Sequence, residues 1–162
     1  VERALKSLSR IKKDVVVWWT SGAQSAQLLK DGEADMVAIW NGRAGAAIQY
    51  ALSQVGDPYS YSANPPSSWD CSKLTAAAWG QAGVGLTALS YAQWDQTRHI
   101  PVSEIQPGDL VFYFGGGAHH VGMYIGGGRM VHAANPSDGV EITSFLGPWY
   151  GERFSGVGRV IG

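Results

Sequence analysis

Apolar residues fall along the chain in short blocks, and the spacing within each block predicts a particular element. Alanine-rich amphipathic runs predict helices, whereas β-branched and aromatic runs bounded by glycine predict strands. Helices are expected at 44–55, 71–82 and 90–97, and strands at 110–114, 120–125, 129–133 and 156–161. Pro58, Pro65 and Pro66 exclude regular structure from the loop at 56–69. Because helices come first and strands later, the pattern predicts an α+β fold in which the 71–82 helix packs on an antiparallel sheet.

The first 43 residues carry a separate pattern. A buried strand is predicted at 14–19, a short helix at 21–30 and a second strand at 36–40. Two strands and one helix cannot bury enough apolar surface to be stable alone. We therefore expect an N-terminal β-α-β extension, residues 1–43, that packs on the domain formed by residues 44–162 or on a second chain. Trp18, Trp19 and Trp40 would then be at least partly buried, and such a segment could also cover a cleft.

Charge and hydropathy exclude several classes of protein. The net charge of −1 gives no strong attraction to nucleic acid or to an anionic membrane surface. No stretch reaches the roughly 20 consecutive apolar residues that a membrane span requires. No secretory signal is visible at Val1, so the start of the chain does not indicate a localisation. A single cysteine and dispersed histidines lack the spacing of zinc ligands, so we expect no metal site and no cofactor.

Cys71 is the single cysteine of the chain, and it stands at the predicted start of a helix. A polar, turn-forming stretch at 67–72 precedes the apolar helical run at 74–79. Free backbone N–H groups and the helix dipole stabilise a thiolate at such a position, and the thiolate is the nucleophilic form. The alternative is a small buried side chain with no chemical role. On position alone the two interpretations are equally good.

Two histidines favour the first interpretation. His120 begins one predicted strand, and His132 lies on the next, with a glycine turn at 126–128 between them. Neighbouring antiparallel strands can bring two such side chains into contact on one face. A cysteine, a histidine base and a third group that orients the base are what nucleophilic catalysis needs. His119 and His99 are expected at the surface.

Several motifs also occur in a characteristic order. They are AIQYALSQVGDPYSYS, SSWDCSKLTAAAWGQAGVGL, SYAQW, HIPVSEIQPGDLVFYFGGGAHHVGMYIGGGRMVHA and the terminal GVGRVI. Residues 44–161, which contain them, resemble the NlpC family of bacterial cell-wall cysteine peptidases, a papain-like group that cuts peptidoglycan stem peptides. The resemblance implies a papain-like fold with Cys71 as nucleophile, His120 as general base and His132 as the orienting residue.

The resemblance also implies residues that bind the substrate. Tyr59 matches the family's tyrosine near the nucleophile, where its hydroxyl would lie beside the scissile carbonyl. Backbone N–H groups at the helix start, including that of Ser72, would help to stabilise the oxyanion. Asp70 matches a position that can bind a free amine of the substrate. From the residues alone, Tyr59 could equally be a packed aromatic side chain, and Asp70 could be a helix cap.

The chain departs from the family pattern at three places. Ser62 and Ala63 stand where the family usually has a pair of glycines, and Lys73 stands where a glycine commonly follows Asp-Cys-Ser. An arginine that often precedes the Ser-x-Gln segment is absent from Thr87-Ala88-Leu89. The first two changes touch the loop and the helix that shape the cleft, so they bear on specificity more than on the chemistry.

Residues 15–43 have a resemblance of their own. The words VVVWWTSGAQSAQLLKDGEADMVAIWNGR are similar to a piece of the periplasmic polyamine-binding proteins of ABC transporters, in which the Trp-Asn-Gly box lines the ligand pocket. That similarity would make Trp40 a ligand contact. A pocket needs convergent walls, however, and so short a segment cannot build them. We expect a structural fragment rather than a working polyamine site.

The NlpC resemblance leads to a functional hypothesis. The chain is expected to be a secreted, periplasmic or cell-wall hydrolase that cleaves peptidoglycan stem peptides between the γ-carboxyl of D-glutamate and the diamino acid. The expected partner is peptidoglycan, with no nucleic acid and no membrane span, and self-association through the N-terminal segment is an open alternative. Two other functions stay open, an amidase or acyl transferase with the same triad and a non-catalytic wall-binding module.

Overall fold

The computed structural model describes residues 42–115 and 119–161. Its helices are α1 (Gly42–Ser53), α2 (Cys71–Gln81), α3 (Ser90–Gln96) and α4 (Pro148–Gly151). Its strands are β1 (Arg98–Ile100), β2 (Leu110–Tyr113), β3 (His120–Gly126), β4 (Arg129–Ala133), β5 (Val140–Ser144) and β6 (Phe154–Arg159), with one turn of 3₁₀ helix at Val102–Glu104. The predictions for residues 1–41, including the polyamine-binding resemblance and the burial of Trp18, Trp19 and Trp40, lie outside the described residues.

The six strands form one antiparallel sheet in the order β1-β6-β2-β3-β4-β5. The central hairpin joins β3 to β4 through Gly127 and Gly128, whose φ angles are 61° and 73°. Two consecutive residues in this left-handed region form the tight turn whose twist suits a β-hairpin, and glycine adopts it without strain. The turn therefore fixes how the side chains of β3 and β4 face one another.

The sheet has an apolar cluster on each of its faces. The cluster that contains α2 is formed by residues including Trp69, Leu74, Ala78, Phe112, Val121, Met123 and Val131, all buried. Helix α1 joins it through the small side chains of Ala44, Ala47 and Ala51. The second cluster comprises Val111, Tyr113, Met130, Phe145 and Val157. Alternation along β2, where Phe112 and Tyr113 face opposite sides, places the two clusters back to back.

These observations confirm the predicted α+β fold, with α2 packed on an antiparallel sheet. Helix α2 begins at Cys71 as predicted and ends before Gly83, which has φ +77°. Other ends differ by a few residues: α1 begins at Gly42, and β6 spans Phe154–Arg159. Strand β2 stops at Tyr113 because the next residue, Phe114, has φ 64° and leaves the extended conformation. The sequence interpretation missed β1, β5 and α4.

Within residues 42–115 and 119–161, none of the helices is long and apolar enough to cross a membrane. The same part of the chain holds no cluster of three or more histidine, cysteine or acidic side chains arranged to bind a metal ion.

Candidate active site

Asp70 holds the start of α2 in place. It is the N-cap residue, and its Oδ1 accepts hydrogen bonds from the backbone N–H of Ser72 at 3.0 Å and of Lys73 at 2.8 Å. The Ser72 hydroxyl donates to the same oxygen at 2.8 Å. Capping of this kind satisfies the free N–H groups of the first turn and typically stabilises a helix by about 1 kcal/mol. Asp70 therefore caps α2. Binding of a free amine of the substrate by Asp70 stays a prediction.

A buried glutamine ties the same turn to α3. Gln93 is fully buried, and its amide donates to the carbonyl oxygens of Ser72 and Thr87, both at 2.9 Å. Its Oε1 accepts from the Thr75 hydroxyl at 2.8 Å. These bonds fix the helix turn that carries Cys71 from the side away from Asp70. The sequence interpretation did not single out Gln93, although it lies within the quoted SYAQW motif.

Cys71 is only 9% exposed. The backbone N–H groups of Val121, Ser72 and Cys71 itself act to lower its pKa. Burial acts more strongly in the opposite direction, and together with the charge of Asp70 it raises the pKa of Cys71 to about 11. Burial therefore acts against the thiolate that a helix start would otherwise stabilise. The helix dipole is opposed by the capping carboxylate, and the desolvated thiol stays protonated.

His120 and His132 form a buried hydrogen-bonded pair. Nε2 of His120 lies 2.8 Å from Nδ1 of His132, and the side chains are almost wholly excluded from solvent. Burial lowers the pKa of His120 to about 4. Burial, followed by the effect of His120, lowers the pKa of His132 to about 3. Both imidazoles are therefore neutral at neutral pH, and a neutral imidazole can act as a general base.

Strand β3 links this pair to Cys71. Val121, whose backbone N–H acts to lower the pKa of Cys71, directly follows His120 and shares a buried apolar cluster with Cys71. Gly122 makes room at the same point: a Cβ there would lie 2.7 Å from Sδ of Met130 and 3.3 Å from Cβ of His132. A larger residue would have to displace the thioether of Met130 and shift His132 slightly. Packing against β4 therefore favours glycine in the His-Val-Gly segment.

Strand β5 supplies the next contacts of His132. Nε2 of His132 lies 3.1 Å from Oγ1 of Thr143 and 3.5 Å from Oε1 of Glu141. Glu141 faces His132 directly in the register of β4 and β5. Neither Glu141 nor Thr143 was a predicted site residue, because β5 was not recognised as a strand.

Tyr150, on α4, covers both imidazoles. Its ring stacks on His120 with centroids 5.6 Å apart and planes 24° apart, and it meets His132 edge-on at 5.1 Å. Burial, then the charges of Glu141, Asp138 and Cys71, raises the pKa of Tyr150 to about 12. No motif pointed to this tyrosine. Pro148, which suits the first turn of a helix, was the only sequence signal for the element that carries it.

Tyr59 lies near Cys71, and both side chains line one small cleft. A bridge between Tyr59 and Trp69 holds the loop, with hydrogen bonds from Ser60 N to Trp69 O at 2.9 Å and from Trp69 N to Pro58 O at 3.0 Å. Burial, then the charge of Cys71, raises the pKa of Tyr59 to about 12, so its hydroxyl keeps its proton and can donate. Tyr59 is therefore close enough to Cys71 for the charge of one to affect the other, as its predicted role beside the scissile carbonyl requires.

A small cleft of about 240 Å³ opens beside Cys71. It is lined by Tyr59, Tyr61, Asp70, Cys71, Ser72, Leu89, Ser90, Tyr91 and His119. The structure therefore brings Tyr59, Asp70 and Ser72, the three predicted substrate-binding residues, into one cleft with Cys71, while His120 and His132 lie buried. The N–H and hydroxyl of Ser72 already donate to Asp70, so its predicted oxyanion role competes with the cap. His119 is exposed, as expected, and reaches the cleft rim.

Lys73 and Ala63, two departures from the family pattern, contact each other. Nζ of Lys73 donates to the carbonyl oxygen of Ala63 at 2.6 Å and lies 3.7 Å from Oδ2 of Asp70. The lysine therefore ties the loop before the nucleophile to α2. It also places a positive charge next to the one acidic side chain of the cleft lining.

The sequence profile of the NlpC/P60 family matches residues 56–159. The "probable endopeptidase p60" of Listeria grayi is 41% identical over 111 residues, which are 68% of this chain and 21% of that protein. A "probable endopeptidase" of Corynebacterium glutamicum is 39% identical over 92 residues, 57% of this chain and 43% of the relative. The chain thus spans about a fifth of the Listeria protein and less than half of the other.

Solved structures of NlpC/P60 proteins are also similar to this chain. An NlpC/P60 family protein from Bacillus cereus has a TM-score of 0.69 and 30% identity, over 74% of this chain and 40% of that chain. The P60 domain of an antigen from M. avium subspecies paratuberculosis has a TM-score of 0.66 and 28% identity, over 75% of this chain and 97% of that chain. The peptidoglycan hydrolase RipB from Mycobacterium tuberculosis has a TM-score of 0.63 and 25% identity, over 84% of this chain and 78% of that chain.

Proposed function

The chain belongs to the NlpC/P60 family, and we propose that it is a cysteine endopeptidase that cleaves peptidoglycan stem peptides with Cys71 as its nucleophile. The observation that carries the proposal is the 2.8 Å bond between the buried imidazoles of His120 and His132, on two strands against which α2, the helix that begins at Cys71, is packed. The related proteins named as endopeptidases and as a peptidoglycan hydrolase support the substrate class.

The first chemical step would begin from neutral groups. The pKa of Cys71 is raised and that of His120 is lowered, so the resting site holds a thiol and a neutral imidazole. As the sulfur attacks the amide carbon, the thiol proton passes to Nδ1 of His120, because Nε2 is bonded to His132. The same proton then goes to the leaving amine as the C–N bond breaks, and an acyl-enzyme remains. Water attacks this thioester with His120 as base and releases the carboxylic acid and the free thiol.

Charge on the carbonyl oxygen would be stabilised by donors on either side of the sulfur. The candidates are the backbone N–H of Cys71 and the hydroxyl of Tyr59, which remains protonated at neutral pH. One well-placed donor of this kind contributes about 3 kcal/mol to transition-state stabilisation. Ser72 is a weaker candidate because its N–H is bonded to Asp70.

The bond that we propose joins the γ-carboxyl of D-glutamate to the diamino acid, as the family resemblance implies. The cleft of about 240 Å³ suits a short peptide segment and not a bulky folded protein. We propose a location outside the cytoplasm, in the periplasm or cell wall, where such a substrate is found.

Digestion of purified peptidoglycan tests the proposal. Soluble fragments would be separated and identified by mass, with Cys71→Ala as the matched control. New D-glutamate γ-carboxyl and diamino-acid amino termini support the endopeptidase. Release of an intact stem peptide from the glycan would point to the amidase alternative. Binding to the wall without any fragment, in wild type and variant alike, would leave the wall-binding module and overturn the proposal.

A further inference from the structure

Two side chains of β5 contact the outer nitrogen of the orienting histidine. Nε2 of His132 is 3.1 Å from the Thr143 hydroxyl and 3.5 Å from a carboxylate oxygen of Glu141. His132 is fully buried, so these protein groups, and not bulk solvent, set the state of its ring. With the bond from His120, both ring nitrogens of His132 have defined partners.

The identity of these partners determines where the hydrogens lie. An ionised carboxylate can only accept a hydrogen bond, so Nε2 of His132 must carry a hydrogen to interact with Glu141. A neutral imidazole has one N–H, and Nδ1 of His132 is then an acceptor. The hydrogen of the inner bond must come from Nε2 of His120. Nδ1 of His120 is left with a free lone pair, as an acceptor of the thiol proton requires.

The charge of Glu141 also affects the imidazole pair. Transfer of the thiol proton makes an imidazolium that is hydrogen-bonded through His132 toward the carboxylate. The titratable groups in contact with this pair are Tyr113 on β2, Tyr150 on α4 and Glu141 itself. Cys71 on α2 and Asp138 before β5 act on Tyr150, and Asp138 also acts on Glu141. Glu141 is the acidic group in contact with His132. Its side chain is about a third exposed, so solvent screens the interaction and the expected effect is moderate.

We propose that Thr143 and Glu141 are positioning residues of the catalytic site, which accept the Nε2 hydrogen of His132 and so hold His120 in the tautomer that can receive the thiol proton. This inference rests on the proposed function for the roles of Cys71 and His120. It adds a fourth and a fifth side chain to the predicted three and gives β5 a function.

The test uses the full chain and two measurements, the pH dependence of Cys71 alkylation by iodoacetamide and that of peptidoglycan hydrolysis. Thr143→Val keeps the shape and removes the acceptor, whereas Thr143→Ser keeps the hydroxyl. Glu141→Gln keeps the shape and offers an amide that can donate as well as accept. Glu152→Gln is the matched control, because Glu152 is an exposed glutamate paired with Arg153.

The expected result is a fall of about tenfold in both rates at pH 7 for Thr143→Val, with most of the rate restored in Thr143→Ser. Glu141→Gln should lower both rates about fivefold and move the acid limb of each profile to lower pH, because loss of the anion lowers the pKa of the imidazole pair. Glu152→Gln should match wild type. Unchanged alkylation and an unchanged acid limb in Glu141→Gln and Thr143→Val would overturn the inference.

Alkylation requires no substrate, so the two proposals fail separately. Altered alkylation in the β5 variants, in a protein that cuts no peptidoglycan, would overturn the proposed function and keep the positioning role. If the wild type hydrolyses peptidoglycan and no β5 variant changes either rate, the proposed function is kept and the positioning role is overturned. Equal loss in Thr143→Val and Thr143→Ser would show that packing, and not the hydroxyl, matters and would overturn the role of Thr143.

Discussion

The ring of Tyr150 lies against the ring of His120, with centroids 5.6 Å apart and planes 24° apart. This contact closes the buried side of the site, since the same tyrosine meets His132 edge-on. Aromatic pairs of this geometry contribute about 0.5–1.5 kcal/mol beyond the area they bury. A residue far along the chain from every predicted site residue therefore helps to exclude water from the imidazole pair and to hold its orientation.

Replacement of Tyr150 should show this role. Tyr150→Ala is expected to lower the rate of hydrolysis about tenfold, because water would reach the imidazoles and the His120 ring would be free to turn. Tyr150→Phe keeps the stacked ring and should keep most of the rate. Trp149→Ala, an exposed neighbour on the same helix, serves as the control. Steady-state kinetics check the prediction, and equal losses in the Ala and Phe variants would indicate that the hydroxyl matters instead.

Cys71→Ala is expected to abolish hydrolysis and leave the fold intact. The side chain is small and buried at the first residue of α2, so loss of one sulfur atom costs about 1 kcal/mol or less of stability. Thermal unfolding and circular dichroism would establish that the variant is folded. Turnover at the wild-type level in that folded variant would end the cysteine peptidase proposal.

The two adjacent histidines should differ sharply. His120 is buried against His132, whereas His119 is exposed at the rim of the cleft. His120→Ala should therefore remove activity, and His119→Ala should retain most of it. Rates on the same peptidoglycan preparation would be compared. The opposite order of activities would mean that the wrong histidine has been assigned as the base.

His132 is expected to orient and not to transfer the proton. Glutamine can still accept a hydrogen bond from Nε2 of His120, so His132→Gln should keep a measurable fraction of the rate. His120→Gln has no base and should keep none. The measurement is hydrolysis at high enzyme concentration. Complete loss in both variants would contradict this division of roles.

Stability should depend on pH through the buried histidines. Their pKa values, lowered to about 4 and about 3, lie below the value of 6.5 for an unperturbed histidine. Between pH 6.5 and 4 the unfolded chain binds protons that the folded protein does not, so the free energy of unfolding falls as the pH falls. At pH 5 the loss is about 2 kcal/mol for each fully buried histidine.

Denaturant unfolding at pH 7 and pH 5 measures this effect. The difference between the two pH values should be roughly halved in His132→Gln, which removes one of the two groups. It should be unchanged in His119→Gln, since His119 is exposed. A wild-type free energy of unfolding that is the same at both pH values would show that the imidazoles are accessible to protons in the folded state.

Much of the site could be predicted from local sequence. The polar stretch before an apolar helical run located Cys71 at the start of α2, and the glycine turn located His120 and His132 on neighbouring strands. These features depend on residues close together in the chain. A helix cap, a hydrophobic periodicity and a glycine turn can therefore be recognised from the sequence alone.

The remaining contacts depend on residues that are distant in sequence. Thr143 and Glu141 reach His132 only because β5 pairs with β4, and Tyr150 covers His120 only because α4 folds back over the sheet. Helix α4 has only four residues, and β5 carries only two apolar residues, Val140 and Ile142, so the local signal of each is weak. The sequence determined the class of fold and the places of Cys71, His120 and His132 on their elements. Only the tertiary structure decided how deeply Cys71 is buried, and this burial, the largest effect on its thiol, raises its pKa although the residue stands at a helix start.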